Sequence, residues 1–138
     1  MTAPAAEALI KYRMEQAVGV LEDARRLTMA GGTPQSIVNR SYYAMFYATL
    51  ALLQTVRKFP RKHGGMLAFF DSEFVRKGIF PPEMSRNLHR AFDLRQESDY
   101  RDLFPLNREK AEDLLEKADH FVAAVRAYLL DSTASSAP

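Results

Sequence analysis

The sequence predicts an all-α protein, an antiparallel bundle of about five helices with short connections, and three observations predict it. Apolar residues recur at steps of three and four along most of the chain, the spacing of one helical face. Glycine and proline clusters fall where those runs stop. No stretch alternates apolar and polar residues as a half-buried strand does, and no internal repeat or low-complexity segment breaks the pattern.

The first run, from about 5 to 29, places Ala6, Ile10, Met14, Ala17, Leu21 and Ala24 on one face. Gly31 and Gly32 supply its stop, and Thr33 before Pro34 makes an N-cap and first position for the next helix. That second helix runs to about residue 56. Between Arg40 and Arg57 it carries no formal charge, so it is apolar nearly all round and belongs either at the centre of the bundle or at an interface. Ser41, Ala44, Ala48 and Ala51 form a small-residue stripe along it, while Met45, Phe46, Leu50, Leu52 and Leu53 supply bulk. With few other helices to cover it, a homodimer seam is one expectation.

A basic connection at 57–62, containing Phe59 and Pro60, leads to a third helix starting near His63, with Met66, Leu67, Phe70 and Phe74 on one side. Gly78 and Pro81 break it. The fourth helix, from about Pro82, aligns Met84, Leu88, Ala91 and Phe92 and reaches Arg95 and Asp99 on the same stripe before fading near Tyr100. After a turn-prone segment at 102–107, Ala111, Leu114, Leu115, Ala118, Phe121, Val122, Val125 and Leu129 trace a long final amphipathic helix.

A chain of 138 residues with 47% hydrophobic side chains has material for one core and no room for a second domain. Residues 1–131 are therefore read as a single domain and 132–138 as a flexible tail. Cysteine is absent, which excludes thiolate metal sites, cysteine nucleophiles and disulfides. Neither Glu-x-x-His nor His-x-x-x-His occurs, and the glycine pairs at 31–32 and 64–65 lack the spacing and the lysine of a phosphate loop. No metal and no cofactor is expected. The uncharged stretch between Arg40 and Arg57 is shorter than the ~20 residues that span a bilayer, and the first residues do not pattern as a secretory signal. The expectation is a cytoplasmic protein with no membrane partner. A net charge of +2 permits a polyanionic partner without requiring one.

Two groups of side chains can carry chemistry. Arg40, Tyr43 and Tyr47 share one side of the second helix at i, i+3 and i+7, where a guanidinium beside phenols can hold phosphate or stack on a base; the alternative makes the tyrosines, Tyr42 included, packing bulk. Arg95 stands where the apolar stripe of the fourth helix calls for a hydrophobic residue, four positions before Asp99. An inward ion pair between the two is available, either for chemistry or as a helix-end tie. Of three histidines, His63 is singled out because it opens a helix beside Arg57, Lys58, Arg61 and Lys62; His89 and His120 read as surface or packing residues.

Taken together, Arg-Ser-Tyr-Tyr-Ala-Met-Phe-Tyr-Ala at 40–48, Lys-His-Gly at 62–64 and Arg-x-x-x-Asp-Tyr at 95–100 resemble the HEPN superfamily, in particular its small stand-alone members. The resemblance covers roughly residues 5–130. It implies a helical bundle that dimerises, and either a metal-independent RNase or the companion of a minimal nucleotidyltransferase in a toxin–antitoxin pair. The catalytic signature of such proteins is an arginine followed, after four to six residues, by a histidine. Arg95 matches the arginine, but Tyr100 stands where the histidine is expected. Arg57 and His63 have the required spacing yet lie in a connection rather than at the end of the fourth helix. The resulting expectation is an RNA- or nucleotide-facing pocket built from Arg40, Tyr43, Arg95, Asp99 and Tyr100, with Asp99 orienting Arg95. His63 and Arg95 are the nominated catalytic residues. The contrasting expectation is a non-catalytic dimeric interaction protein whose polar cluster is structural.

Overall fold

The computed structural model describes residues 3–100 and 105–136. The described residues form α1 (Ala3–Met29), α2 (Pro34–Thr55), α3 (His63–Phe70), a π-helical turn (Asp71–Val75), α4 (Pro82–Ser98) and α5 (Arg108–Ser136), with no strand among them. The segment predicted as a turn at 102–107 lies partly outside the described residues, since 101–104 are not among them. The final helix ends later than its apolar pattern suggests: five residues of the expected tail, 132–136, are helical.

Helix ends follow local chemistry. Thr33 has extended backbone angles and its hydroxyl accepts from the Ser36 amide at 3.2 Å, with Pro34 in the first turn, so α2 starts where a side chain replaces a missing helical acceptor. Asn107 does the same for α5, accepting from the Lys110 amide at 2.8 Å. At the end of α1, Gly31 takes a positive φ of 76° while Gly32 N–H donates to the Leu27 carbonyl at 2.6 Å, the six-to-one closure that satisfies an orphan carbonyl.

Most of the apolar circumference of α2 is covered within the chain, while the face of Tyr43, Phe46, Tyr47 and Leu50 is half-buried. The helix is packed by α1, α3, α4 and α5, and the small stripe Ser41, Ala44, Ala48 and Ala51 is fully buried. The small stripe is thus covered by the chain's own helices, which places α2 at the centre of the bundle. Helices α1 and α5 run antiparallel, since Arg25 pairs with Asp119 and Arg108 donates to the Thr28 carbonyl further along α1.

The third helix departs from regular geometry at residues whose local pattern carries no sign of it. After Phe70 the helix widens into the π-helical turn, keeping Phe70 and Phe74 both in the core. Asp71, at its start, accepts from Ser85 Oγ at 2.5 Å and meets His89 Nε2 at 2.7 Å. A widened turn re-aims side chains that an α-helix would direct elsewhere, and here it ties α3 to α4. His89 is thus a packing residue with a specific carboxylate partner.

Candidate functional site

The packing of α2 against α3 and α4 brings a phenol, an imidazole and a guanidinium together on one buried ring. Tyr42 has no exposed surface, yet its hydroxyl lies 2.5 Å from His63 Nδ1. The His63 ring stacks on Phe46 with centroids 4.5 Å apart and lies edge-on to Tyr43. On the same platform, the Arg95 guanidinium carbon stands 5.6 Å from the Tyr42 centroid and 5.4 Å from that of Tyr43. Arg40 covers Tyr43 as well, at 5.6 Å. Three of the residues singled out in the sequence, Tyr43, His63 and Arg95, therefore lie against Tyr42, and a fourth, Arg40, lies over Tyr43.

Asp99 and Tyr100 do not join them. Asp99 caps α4 and borders a shallow polar depression with Arg40, Asn39 and Ser98; among the described residues no ion pair links it to Arg95. The expected orienting role for Asp99 is corrected accordingly. Once α4 ends at Ser98, the chain turns through a bond from Tyr100 N–H to the Glu97 carbonyl, and the Tyr100 side chain is 61% exposed. Asp99 keeps helical backbone angles as the C-cap, φ −73° and ψ −14°, yet its side chain is exposed, and Tyr100 lies beyond the helix.

Electrostatics sharpen the arrangement. Arg95 has no salt bridge among the described residues, and its Nε is buried without a hydrogen-bond acceptor. Aromatic faces offer a cation about 0.5–2 kcal/mol of attraction but no formal counter-charge. Among the described residues, therefore, no carboxylate pairs with the positive charge of Arg95. Burial, and then the same Arg95 charge, lower the pKa of His63 below 6.5, so its ring is neutral at pH 7. Burial also raises the Tyr42 phenol far above its ordinary range, so Tyr42 stays protonated and can only hydrogen-bond, not carry charge.

Sequence spacing missed this meeting because Tyr42 and His63 are 21 positions apart and the Arg95–His63 relation is wholly tertiary. The one legible signal was that each, alone, was out of place: a histidine opening a basic-flanked helix, and an arginine on an apolar stripe.

The described residues thus form a small helical bundle in which a guanidinium with no ion-pair partner among them shares an aromatic platform with an imidazole. The chain itself belongs to the HEPN domain family, whose profile matches residues 10–128. It is 35% identical over 125 residues to a UPF0332 protein of Thermotoga maritima, covering 91% of this chain and 94% of that one. A protein of Methanocaldococcus jannaschii named "Putative toxin MJ0142" is 37% identical over 93 residues, 67% of this chain and 63% of its own length. A UPF0332 protein of Archaeoglobus fulgidus is 29% identical over 113 residues, 82% of this chain and 89% of the relative. No helix among the described residues is long and apolar enough to cross a membrane.

Proposed function

We propose that this chain is a toxin-type module that cleaves RNA without a metal ion, with His63 as the proton-transfer group and Arg95 as the phosphate-holding cation. The observation that carries the reading is the shared seat of the two side chains on Tyr42: the hydrogen bond to His63 Nδ1 and the guanidinium over the same ring. On this reading His63, arriving from α3, stands in for the histidine that Tyr100 replaces in the sequence. Relatives named as toxins support the biological class.

The chemistry balances with these groups alone. With Nδ1–H donating to the phenol oxygen, Nε2 of neutral His63 has a lone pair that takes the proton of a ribose 2′-hydroxyl. The 2′-oxygen attacks phosphorus, the bond to the 5′-oxygen breaks, and the proton returns from Nε2 to that leaving oxygen, giving a 2′,3′-cyclic phosphate and a 5′-hydroxyl. Arg95 offsets the charge that builds on the phosphoryl oxygens. Arg40, on the outer side of Tyr43, extends the cationic surface. The homodimer and the nucleotidyltransferase partner expected from the resemblance belong to this reading, and sedimentation and co-purification test them.

The deciding experiment incubates the parent protein and Arg95→Ala with labelled tRNA and total RNA in chelator, with circular dichroism confirming that both are folded. Cleavage by the parent alone supports the proposal. Absence of cleavage by the folded parent overturns it and favours the non-catalytic interaction protein, for which the dense aromatic packing around Tyr42 already suffices.

A pH prediction follows from His63. Its lowered pKa puts the acid limb of the cleavage profile below pH 6.5. Because the Arg95 charge is the second cause of the shift, Arg95→Gln raises the His63 titration midpoint in a proton NMR titration, while desolvation keeps it from returning fully. The effect on stability has the opposite slope to a salt-bridged histidine: the unfolded ring takes its proton near 6.5 and the folded ring resists, so stability falls as pH drops through that value. An unchanged midpoint in Arg95→Gln would show that the guanidinium does not act on the ring.

A further inference from the structure

The segment that delivers His63 to the site is itself the most cationic stretch of the chain. From Ala24 to Phe70 there is no aspartate or glutamate, although the whole protein has 17 acidic residues. Four of the cations in that interval, Arg57, Lys58, Arg61 and Lys62, are packed into the connection immediately before His63. None forms a salt bridge among the described residues; Lys58 instead lies over the Phe69 ring, and its charge reaches Glu73. Between these cations Phe59 presents a ring that is 61% exposed, whereas the other phenylalanines of the described chain are buried or half-buried.

The backbone adds an independent observation. Three helical segments end with the same closure: Gly32 to Leu27, Ile79 to Phe74 and Lys58 to Leu53 each make the six-to-one bond. In the first two, the left-handed residue is a glycine, Gly31 at 76° and Gly78 at 77°. In the third it is Arg57, at 56°. A side chain with a Cβ is strained there where glycine is not, so the guanidinium is kept at a position that stability alone would give to glycine. Strain held at a surface cation points to what the cation binds.

We infer that the connection 57–62 is a platform for single-stranded RNA, on which Phe59 stacks with an unpaired base while Arg57, Lys58, Arg61 and Lys62 hold the flanking phosphates. This rests on the proposed function and names the form of RNA it takes. An exposed ring can stack only on a base that is free of its pair, and interleaved cations and an aromatic are the chemistry of sequence-tolerant strand binding. From Phe59 to His63 the chain spans at most roughly 14 Å, so a strand held on the connection is delivered to the imidazole.

The chain has no tryptophan, which makes Phe59→Trp a unique reporter. The probe is a short oligouridylate, 2′-O-methylated so that it binds without being cut, offered as a single strand and as a duplex with its complement. Quenching of the Trp emission by the single strand and weaker binding of the duplex are expected. Phe59→Ala weakens single-strand binding on the order of tenfold or more. Arg57→Gly raises the thermal midpoint yet lowers the salt slope of binding by about 0.7, a combination that loss of folding cannot mimic. Unchanged emission at saturating RNA, or an unaltered affinity in Phe59→Ala, removes the platform while leaving the RNA reading standing. A change of sedimentation in Phe59→Ala with RNA affinity intact makes the ring a protein contact and overturns the inference. No binding of either RNA by the folded parent overturns both.

Discussion

His63→Gln reduces chelator-resistant cleavage of RNA by about 10²–10⁴-fold, the usual worth of a positioned proton-transfer group, with the helical content of the protein unchanged. Glutamine is chosen because its amide can keep a hydrogen bond to the Tyr42 hydroxyl and lie against Phe46, so the seat persists while the titrating nitrogen is gone. Arg95→Ala gives a loss of similar order, since one preorganised donor to a developing oxyanion is worth about 10²–10³ in rate. The informative comparison is the double variant. Groups that act on one transition state are strongly non-additive, so the double loss should barely exceed the larger single loss. Full multiplication of the two effects would mean that the residues act in separate places and that their shared seat on Tyr42 is incidental.

The second large effect is on stability. Phe70 is fully buried, with ring contacts to Phe74, Phe80 and Phe121 at 6.1, 6.1 and 5.5 Å. It stands at the last α-helical position before the π-helical turn. Phe70→Ala removes its transfer energy and leaves a cavity walled by three other rings, a change that typically costs about 3–5 kcal/mol. Rigid rings on three sides leave little room for collapse, which favours the upper part of that range. Urea denaturation followed by circular dichroism reads the cost, and a loss under about 1.5 kcal/mol would show that the ring cluster repacks as freely as a volume-conserving swap.

The helices were legible because each buries one stripe, and a stripe is a local property of spacing: Ala17, Leu21 and Ala24, or Leu114, Ala118, Phe121 and Val125, are buried where periodicity puts them. Arg95 was legible for the same reason inverted, as a charge on a stripe that packs. Tyr42 is a core residue, as the packing reading had it, but its hydroxyl obeys a different rule from its ring. The ring belongs to the core, and the hydroxyl needs a partner that no local pattern supplies. The Arg95–Asp99 pair could not be decided from spacing, because separation by four residues makes an ion pair available without requiring it. The π-helical turn left no trace, since Asp71, Ser72 and Glu73 would suit an ordinary helical surface equally well.

The placement of Tyr42 on the helix that α1, α3, α4 and α5 all pack against has a consequence for how such a site can change over generations. Its foundation is shared with the interior of the protein, so substitutions that would loosen the grip on His63 or Arg95 from below also erode folding. Under the proposed function, variation in recognition comes from the rim, through the connection before His63 and the exposed ends of α2 and α4, while the centre around Tyr42 is inherited with the fold.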